Sequence, residues 1–76
     1  MAQIEIRRPE DLGIALSEAR RNAAVTQAWL AEETSIDRTY LAKLEAGVST
    51  LVLSRSLRLL HRLGARLVVE LPETSA

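Results

Sequence analysis

Arg38, Thr39 and Lys43 bring a forked guanidinium, a hydroxyl and an ammonium close together in the chain. All three donate hydrogen bonds, and none of them forms a nucleophile–base pair with a neighbour. At about 100° per residue counted from Asp37, they share one side of a helix with Ala42 and Ala46, while Leu41 and Leu44 fall on the other. The first side is basic, polar and otherwise small, so it can approach a surface closely. Arg, Thr and Lys are residue types that meet base edges in the major groove, which is about 12 Å wide and admits one helix. Taken alone, this segment also fits a solvated face with incidental charge.

Little else in the chain offers chemistry. His61 is the single histidine and there is no cysteine, which leaves no disulfide and no donor set for structural zinc. His61 falls on the outer side of the last helix and reads as a solvated residue rather than a ligand or base. Scattered serines and the lack of a glycine-rich phosphate loop complete no catalytic or cofactor constellation. The expectation is a protein that is not an enzyme, with no cofactor, no metal and no small-molecule substrate.

The chain has 76 residues and 8.4 kDa, of which 47% are hydrophobic and 26% charged, enough for one small domain and too little for a multidomain enzyme. Folds below about 70–80 residues lean on a disulfide, a metal or a partner subunit, which leaves a second copy of the chain as the expected support. No apolar run approaches the roughly 18–20 residues that span a bilayer, and the opening MAQIEIRRPED has no apolar signal segment. A soluble, cytoplasmic, nucleoid-associated protein with no membrane partner is expected. Ten basic and ten acidic residues cancel, which by itself argues against a nucleic-acid binder. The sum hides an asymmetry: Ile36 to Leu71 carry six Lys/Arg against three Asp/Glu, net +3, whereas Met1 to Ser35 carry four against six, net −2, and Glu73 adds one more acid.

The elements that must position the basic face are legible from patterning. Gln3 to Arg7 alternates with period two and reads as a short strand whose candidate partner lies at the other end: Arg66 to Leu71, bounded by Gly64 and Pro72, reads as a second with Leu67, Val69 and Leu71 on one face. Between them the pattern is helical. Pro9 suits a first helical position, with Glu10 and Asp11 at the positive end of the dipole, and Leu12, Leu16, Ala19 and Ala23 recur at helical spacing to an end near Asn22 to Ala24. Thr26 caps a short helix, Gln27 to Glu33, with Leu30 and Ala31 as its inward residues. Thr34-Ser35-Ile36 is a turn, Asp37 caps a helix that runs to about Ala46, and Gly47 stops it. Ser49 or Thr50 caps a last helix from about Leu51 to Leu63, closed by Gly64. The expected layout is an extended segment over 1–8, a helical domain over 9–64, a strand over 65–72 and a polar tail over 73–76.

Two short helices joined by a three-residue turn, the second bearing the basic face, form the helix-turn-helix layout. The residues Leu12-Gly13, Ala19-Arg20-Arg21, Thr26-Gln27-Ala28, Leu30-Ala31-Glu32, Ile36, Leu41, Leu44-Glu45, Gly47, Leu53 and Leu57 through Gly64 extend the likeness over nearly the whole chain. The chain resembles the lambda-repressor-like (Xre/Cro-type) helix-turn-helix family, and within it the short regulators that include HipB-like antitoxins. The resemblance implies an all-α fold of four helices, with short terminal strands contributing to dimerisation. It also implies that Gln27 binds a backbone phosphate and braces the reading helix. Arg38, Thr39 and Lys43 take the base-contacting positions, Asp37 opens that helix and is grouped with the DNA-binding residues, Tyr40 reaches a phosphate from the flank, and Ser49 and Thr50 lie along the DNA backbone. Arg20 and Glu45 match an ion pair that ties the first helix to the reading helix. Three positions depart from the pattern. Ser35 stands where the turn usually has glycine, at a cost of roughly 1 kcal/mol or more if its φ is positive. Trp29 replaces the glutamate of a capping box, and Leu51 replaces a proline.

In the last helix Leu53, Leu57, Leu59, Leu60 and Leu63 cover an arc near 160°, wider than the roughly 100° stripe one core requires. Leu59, Leu63, Leu67, Val69 and Leu71 are therefore the expected homodimer interface, with terminal strands pairing across a two-fold axis, either alone or with the Ile4/Ile6 strand alongside. Trp29 is a candidate partner contact; its ring folding over the first helix or the adjacent turn is the alternative. Two functions are expected of such a chain. One is a homodimeric, sequence-specific repressor of transcription on double-stranded DNA. The other is an antitoxin of a toxin–antitoxin system, whose partner the resemblance implies to be a kinase-like toxin protein.

Overall fold

Each helix begins where a side chain can satisfy its free amide groups. In the computed structural model, which describes residues 2–47 and 50–72, the order is β1 (Ala2–Ile6), α1 (Pro9–Asn22), α2 (Gln27–Thr34), α3 (Arg38–Glu45), α4 (Leu51–Arg62) and β2 (Leu67–Leu71). The Asp11 carboxylate accepts from the Arg7 and Arg8 amides at 2.9 and 3.0 Å, closing the start of α1. Thr26 Oγ1 accepts from the Trp29 amide at 3.0 Å, and Asp37 Oδ1 from the Thr39 and Tyr40 amides at 2.8 and 3.2 Å. Thr50 Oγ1 accepts from the Leu53 amide at 3.2 Å, so Thr50 caps α4. Ser49, the other residue considered for that cap, lies outside the described residues.

Helix ends follow an equally local rule. Ala24, Ser35 and Gly64 adopt left-handed backbone, with φ of 58°, 58° and 77°. The next amide in each case returns to a carbonyl five residues back: Val25 to Arg20 at 3.3 Å, Ile36 to Ala31 at 3.1 Å, Ala65 to Leu60 at 2.8 Å. These are Schellman closures, which satisfy carbonyls the helix leaves unpaired. Gly47, at φ 89°, likewise ends α3. Patterning anticipates Gly47 and Gly64, and Ser35 takes the positive φ that its place in the turn demands. Ala24 is unanticipated, because no residue preference marks an alanine for this conformation.

β1 and β2 pair antiparallel, with Ile4 opposite Val69 and Ile6 opposite Leu67. Ala2, Ile4, Ile6, Leu67, Val69 and Leu71 therefore share one face of the sheet. That face lies on the helices: Ile6, Ala15 and Leu57 form the centre of the core, with Ile4, Leu12, Leu53 and Val69 packed against it, and Leu71 is buried too. Ala31 and Leu41 are the buried residues of α2 and α3. The architecture is thus mostly helical with a two-stranded antiparallel sheet.

Two expectations change here. β1 finds its partner at the other end of the chain, as the sequence allows, but Leu71 and Val69, assigned above to an interface between copies, are occupied with the chain's own core. Leu59 and Leu63 remain 65% and 81% exposed, and Leu67 is exposed as well. Leu12 packs on the core as expected and Ala15 is buried beside it, but Ala23 is exposed because α1 ends at Asn22 and Ala23 is already its C-terminal cap.

α1 also sets the position of α3. A Cβ on Gly13 would stand 2.6 Å from the Leu44 carbonyl oxygen, 2.8 Å from that of Glu45 and 2.8 Å from the Gly47 amide nitrogen. Only glycine allows the end of α3 to rest on α1 at this distance. Gly13→Ala is expected to destabilise the fold by about 1–3 kcal/mol, since backbone rather than a flexible side chain must move. Ser35→Gly removes a left-handed backbone penalty and adds unfolded-state entropy, for a net gain of at most about 1 kcal/mol. Denaturant midpoints of the two variants, moving in opposite directions from wild type, check both.

Candidate nucleic-acid interface

The two sides of α3 separate as the sequence suggests. Leu41 is buried and Leu44 half-buried, while Arg38, Thr39 and Lys43 are exposed. Neither the Arg38 nor the Lys43 side chain makes a hydrogen bond or ion pair among the described residues, and Ala42 and Ala46 add no bulk between them. Arg7, Arg8, Arg20, Arg21 and Arg66 behave differently, each lying against a carboxylate of its own chain. The cations without an acidic partner among the described residues are Arg38 and Lys43 on α3 and Arg55, Arg58 and Arg62 on α4. A chain of zero net charge therefore presents unneutralised positive charge on these two helices.

The residues around this face have distinct positions. Tyr40 is 54% exposed on its flank. Asp37 serves the chain itself, its Oδ1 being taken by two amides of the first turn of α3. This cap is an internal duty for a residue otherwise grouped with the DNA contacts. Thr50 is exposed, and although its oxygen caps α4, its hydroxyl proton remains available to donate. Ser49 lies outside the described residues. Trp29 is 50% exposed on α2, its amide held by Thr26.

Behind the face, one cluster joins three elements. Arg20 on α1 grips both oxygens of Glu45 on α3, Nε to Oε2 at 2.8 Å and Nη2 to Oε1 at 3.1 Å, with the two side chains only 16% and 7% exposed. Arg20 Nη1 also donates to the Val25 carbonyl at 2.9 Å, fixing the link between α1 and α2. Gln27, half-buried at the start of α2, donates from Nε2 to Glu45 Oε1 at 3.1 Å. The Arg20 guanidinium holds the Glu45 carboxyl below its ordinary value of 4.5 against the opposing effect of burial, with Gln27 and Ser17 adding hydrogen bonds in the same direction. In return, its bond to Glu45 raises Arg20.

The ion pair is foreshadowed in the sequence only through the family likeness, since Arg20 and Glu45 are 25 residues apart. That Gln27 braces α3 is likewise implied by the resemblance, but its partner Glu45 and the Val25 carbonyl have no sequence signal, because both depend on how α1, α2 and α3 meet. No group of three or more His, Cys, Asp or Glu able to hold a metal occurs among the described residues. Among the described residues, no helix is long and apolar enough to cross a membrane.

Because the folded-state pKa of Glu45 is lowered, its contribution to stability is complete above the unfolded value near 4.5 and is lost as pH falls through the lower folded value. Unfolding free energies measured by denaturant from pH 7 down to pH 3 are expected to fall for wild type. In Glu45→Gln they fall less steeply, from a lower starting point at pH 7. Parallel curves for the two proteins would show that this carboxylate carries no such linkage.

No family model, curated protein or solved structure matches this chain.

Proposed function

We propose that the protein is a sequence-specific double-stranded DNA-binding repressor of transcription, acting as a homodimer on an inverted-repeat operator and controlling its own operon in the cytoplasm. The observation that carries this reading is the outer face of α3. The Arg38, Thr39 and Lys43 side chains stand exposed there, the two cations without an acidic partner among the described residues, on a helix whose other side is anchored by Leu41 and whose last residue is clasped by Arg20. Arg38 and Lys43 favour the acceptor edge of guanine, and Thr39 suits a thymine methyl. Gln27, Tyr40 and Thr50 then take phosphates and set register without selecting sequence.

The dimer in this reading rests on α4. Val52, Leu59 and Leu63 are 77%, 65% and 81% exposed, and their spacing of seven and four residues places them along one side of the helix. Two reading helices related by a two-fold axis would sit about 34–36 Å apart, one turn of the duplex. The longest dimension of one chain is 37 Å and it carries one such helix, so an inverted repeat calls for two copies.

A second reading is favoured by Trp29 alone. A half-exposed tryptophan on a short helix suits the centre of a protein interface. It fits an antitoxin that binds a kinase-like toxin protein and uses DNA binding to regulate the pair. Co-purification with the product of the adjacent gene separates this from a free-standing repressor.

Selection of bound sites from random duplexes is expected to return an inverted repeat with half-sites one helical turn apart. On that site Arg38→Ala costs about 1–3 kcal/mol of affinity and relaxes preference within the half-site, whereas Gln27→Ala weakens all sequences about equally. An Arg38 variant with unchanged sequence preference would count against the assignment.

A further inference from the structure

Gln27 reaches Glu45 with its nitrogen, and the chemistry at Glu45 fixes that choice. An ionised carboxylate only accepts, so the carboxamide must turn its NH2 toward Oε1 and its carbonyl oxygen away. One amide proton is then committed to Glu45, leaving a second donor on the same nitrogen. A phosphate also only accepts, so this second N–H is the part of Gln27 that a duplex backbone can use. An unrestrained carboxamide would present its oxygen as readily as its nitrogen, and the oxygen would repel the phosphate.

Glu45 is itself poorly placed to meet DNA. Its side chain is 7% exposed and both oxygens are engaged by the Arg20 fork. The same fork balances its charge, so an acid this close to the interface does not oppose a phosphate as a bare carboxylate would. Resting on the function proposed above, we infer that Glu45 is the positioning residue for the Gln27–phosphate contact. It touches no DNA, but holds the Gln27 amide in the one orientation that donates outward. α1 takes part through Arg20, and the reading helix and the phosphate contact on α2 are thereby fixed to the same carboxylate.

A double-mutant cycle on the selected operator separates this role from a general structural one. Glu45→Asp keeps an anion for Arg20 while withdrawing the carboxylate from Gln27 by one methylene. Gln27→Ala is expected to lower affinity about tenfold, as for loss of one hydrogen bond to a charged group. Glu45→Asp alone is expected to lower it severalfold, yet by less than about twofold when Gln27 is already Ala. Because a neutral amide releases no counterion, the salt dependence of binding stays the same in all four proteins. Equal losses from Glu45→Asp in both backgrounds, or none in either, would overturn the inference.

Wild-type protein supplies an independent measurement if Glu45→Asp fails to fold. One of the two Gln27 side-chain amide protons is expected to show a hydrogen-bonded shift in free protein and to keep it when operator is added, while the other moves. Loss of the first shift on binding means that Gln27 releases Glu45, and overturns the inference although DNA is bound. A wild-type chain that binds no duplex at all overturns the proposed function, and this inference with it.

Discussion

The Arg20–Glu45 clasp is the constraint on which the arrangement of α1, α2 and α3 depends. A guanidinium and a carboxylate this far out of water are costly unless their donors and acceptors are matched, and here the match is nearly complete. Two nitrogens of Arg20 take the two oxygens of Glu45, and a third takes the Val25 carbonyl. Gln27 adds a further donor to Glu45 Oε1. A shift of α3 along α1 would break several of these bonds at once, whereas an apolar contact would tolerate some sliding. Gly13 acts in the same sense from the steric side, letting the end of α3 rest directly on the backbone of α1. Close approach and directional bonding together define where the outer face of α3 points.

Charge is divided between two jobs. The arginines of the β1–α1 link, of α1 and of the approach to β2 are matched by acids nearby: Arg7 and Arg66 both meet Glu5, Arg8 meets Glu10 and Asp11, and Arg21 meets Glu18. Such exposed pairs contribute little to stability. Their effect on the proposed function is electrostatic: they neutralise these arginines and leave the unmatched cations on α3 and α4. Net charge of zero is therefore no obstacle to binding a polyanion, because attraction follows the local distribution rather than the sum.

Much of this was legible in the sequence wherever the signal is local. Thr26, Asp37 and Thr50 cap the helices they precede, and Gly47 and Gly64 end those they follow, because caps depend on one side chain and a few adjacent amides. Ile4, Ile6, Val69 and Leu71 were recognisable as strand residues by alternation and β-branching. Their pairing with each other follows the option of a partner strand at the far end of the chain. What alternation cannot tell is which copy's core the apolar face covers: Val69 and Leu71, which suit an interface between copies, lie on the chain's own core. For the candidate site, residue types and helical spacing marked the face with Arg38, Thr39 and Lys43. The support behind it was beyond reach in its details: an alanine at φ 58° after α1, and a glutamine turned toward a buried carboxylate, arise only once three helices are in place.

The same packing explains why α4 remains open. Leu57 is buried and Leu53 joins the core, so the inner stripe of α4 is fully used by α1 and the sheet. Val52, Leu59 and Leu63 lie off that stripe, and among the described residues nothing covers them. Pairing of β1 with β2 increases this surplus, because it closes the core without help from a second chain. For the proposed repressor this matters in a particular way. A single reading helix offers only a few base contacts, each worth about 1–3 kcal/mol of discrimination, too little to single out one site among millions of competing sequences. Doubling the contacts through a second chain multiplies the two discriminations. In that reading the exposed side of α4 offers apolar surface to hold the second copy, while α3 stays free for DNA.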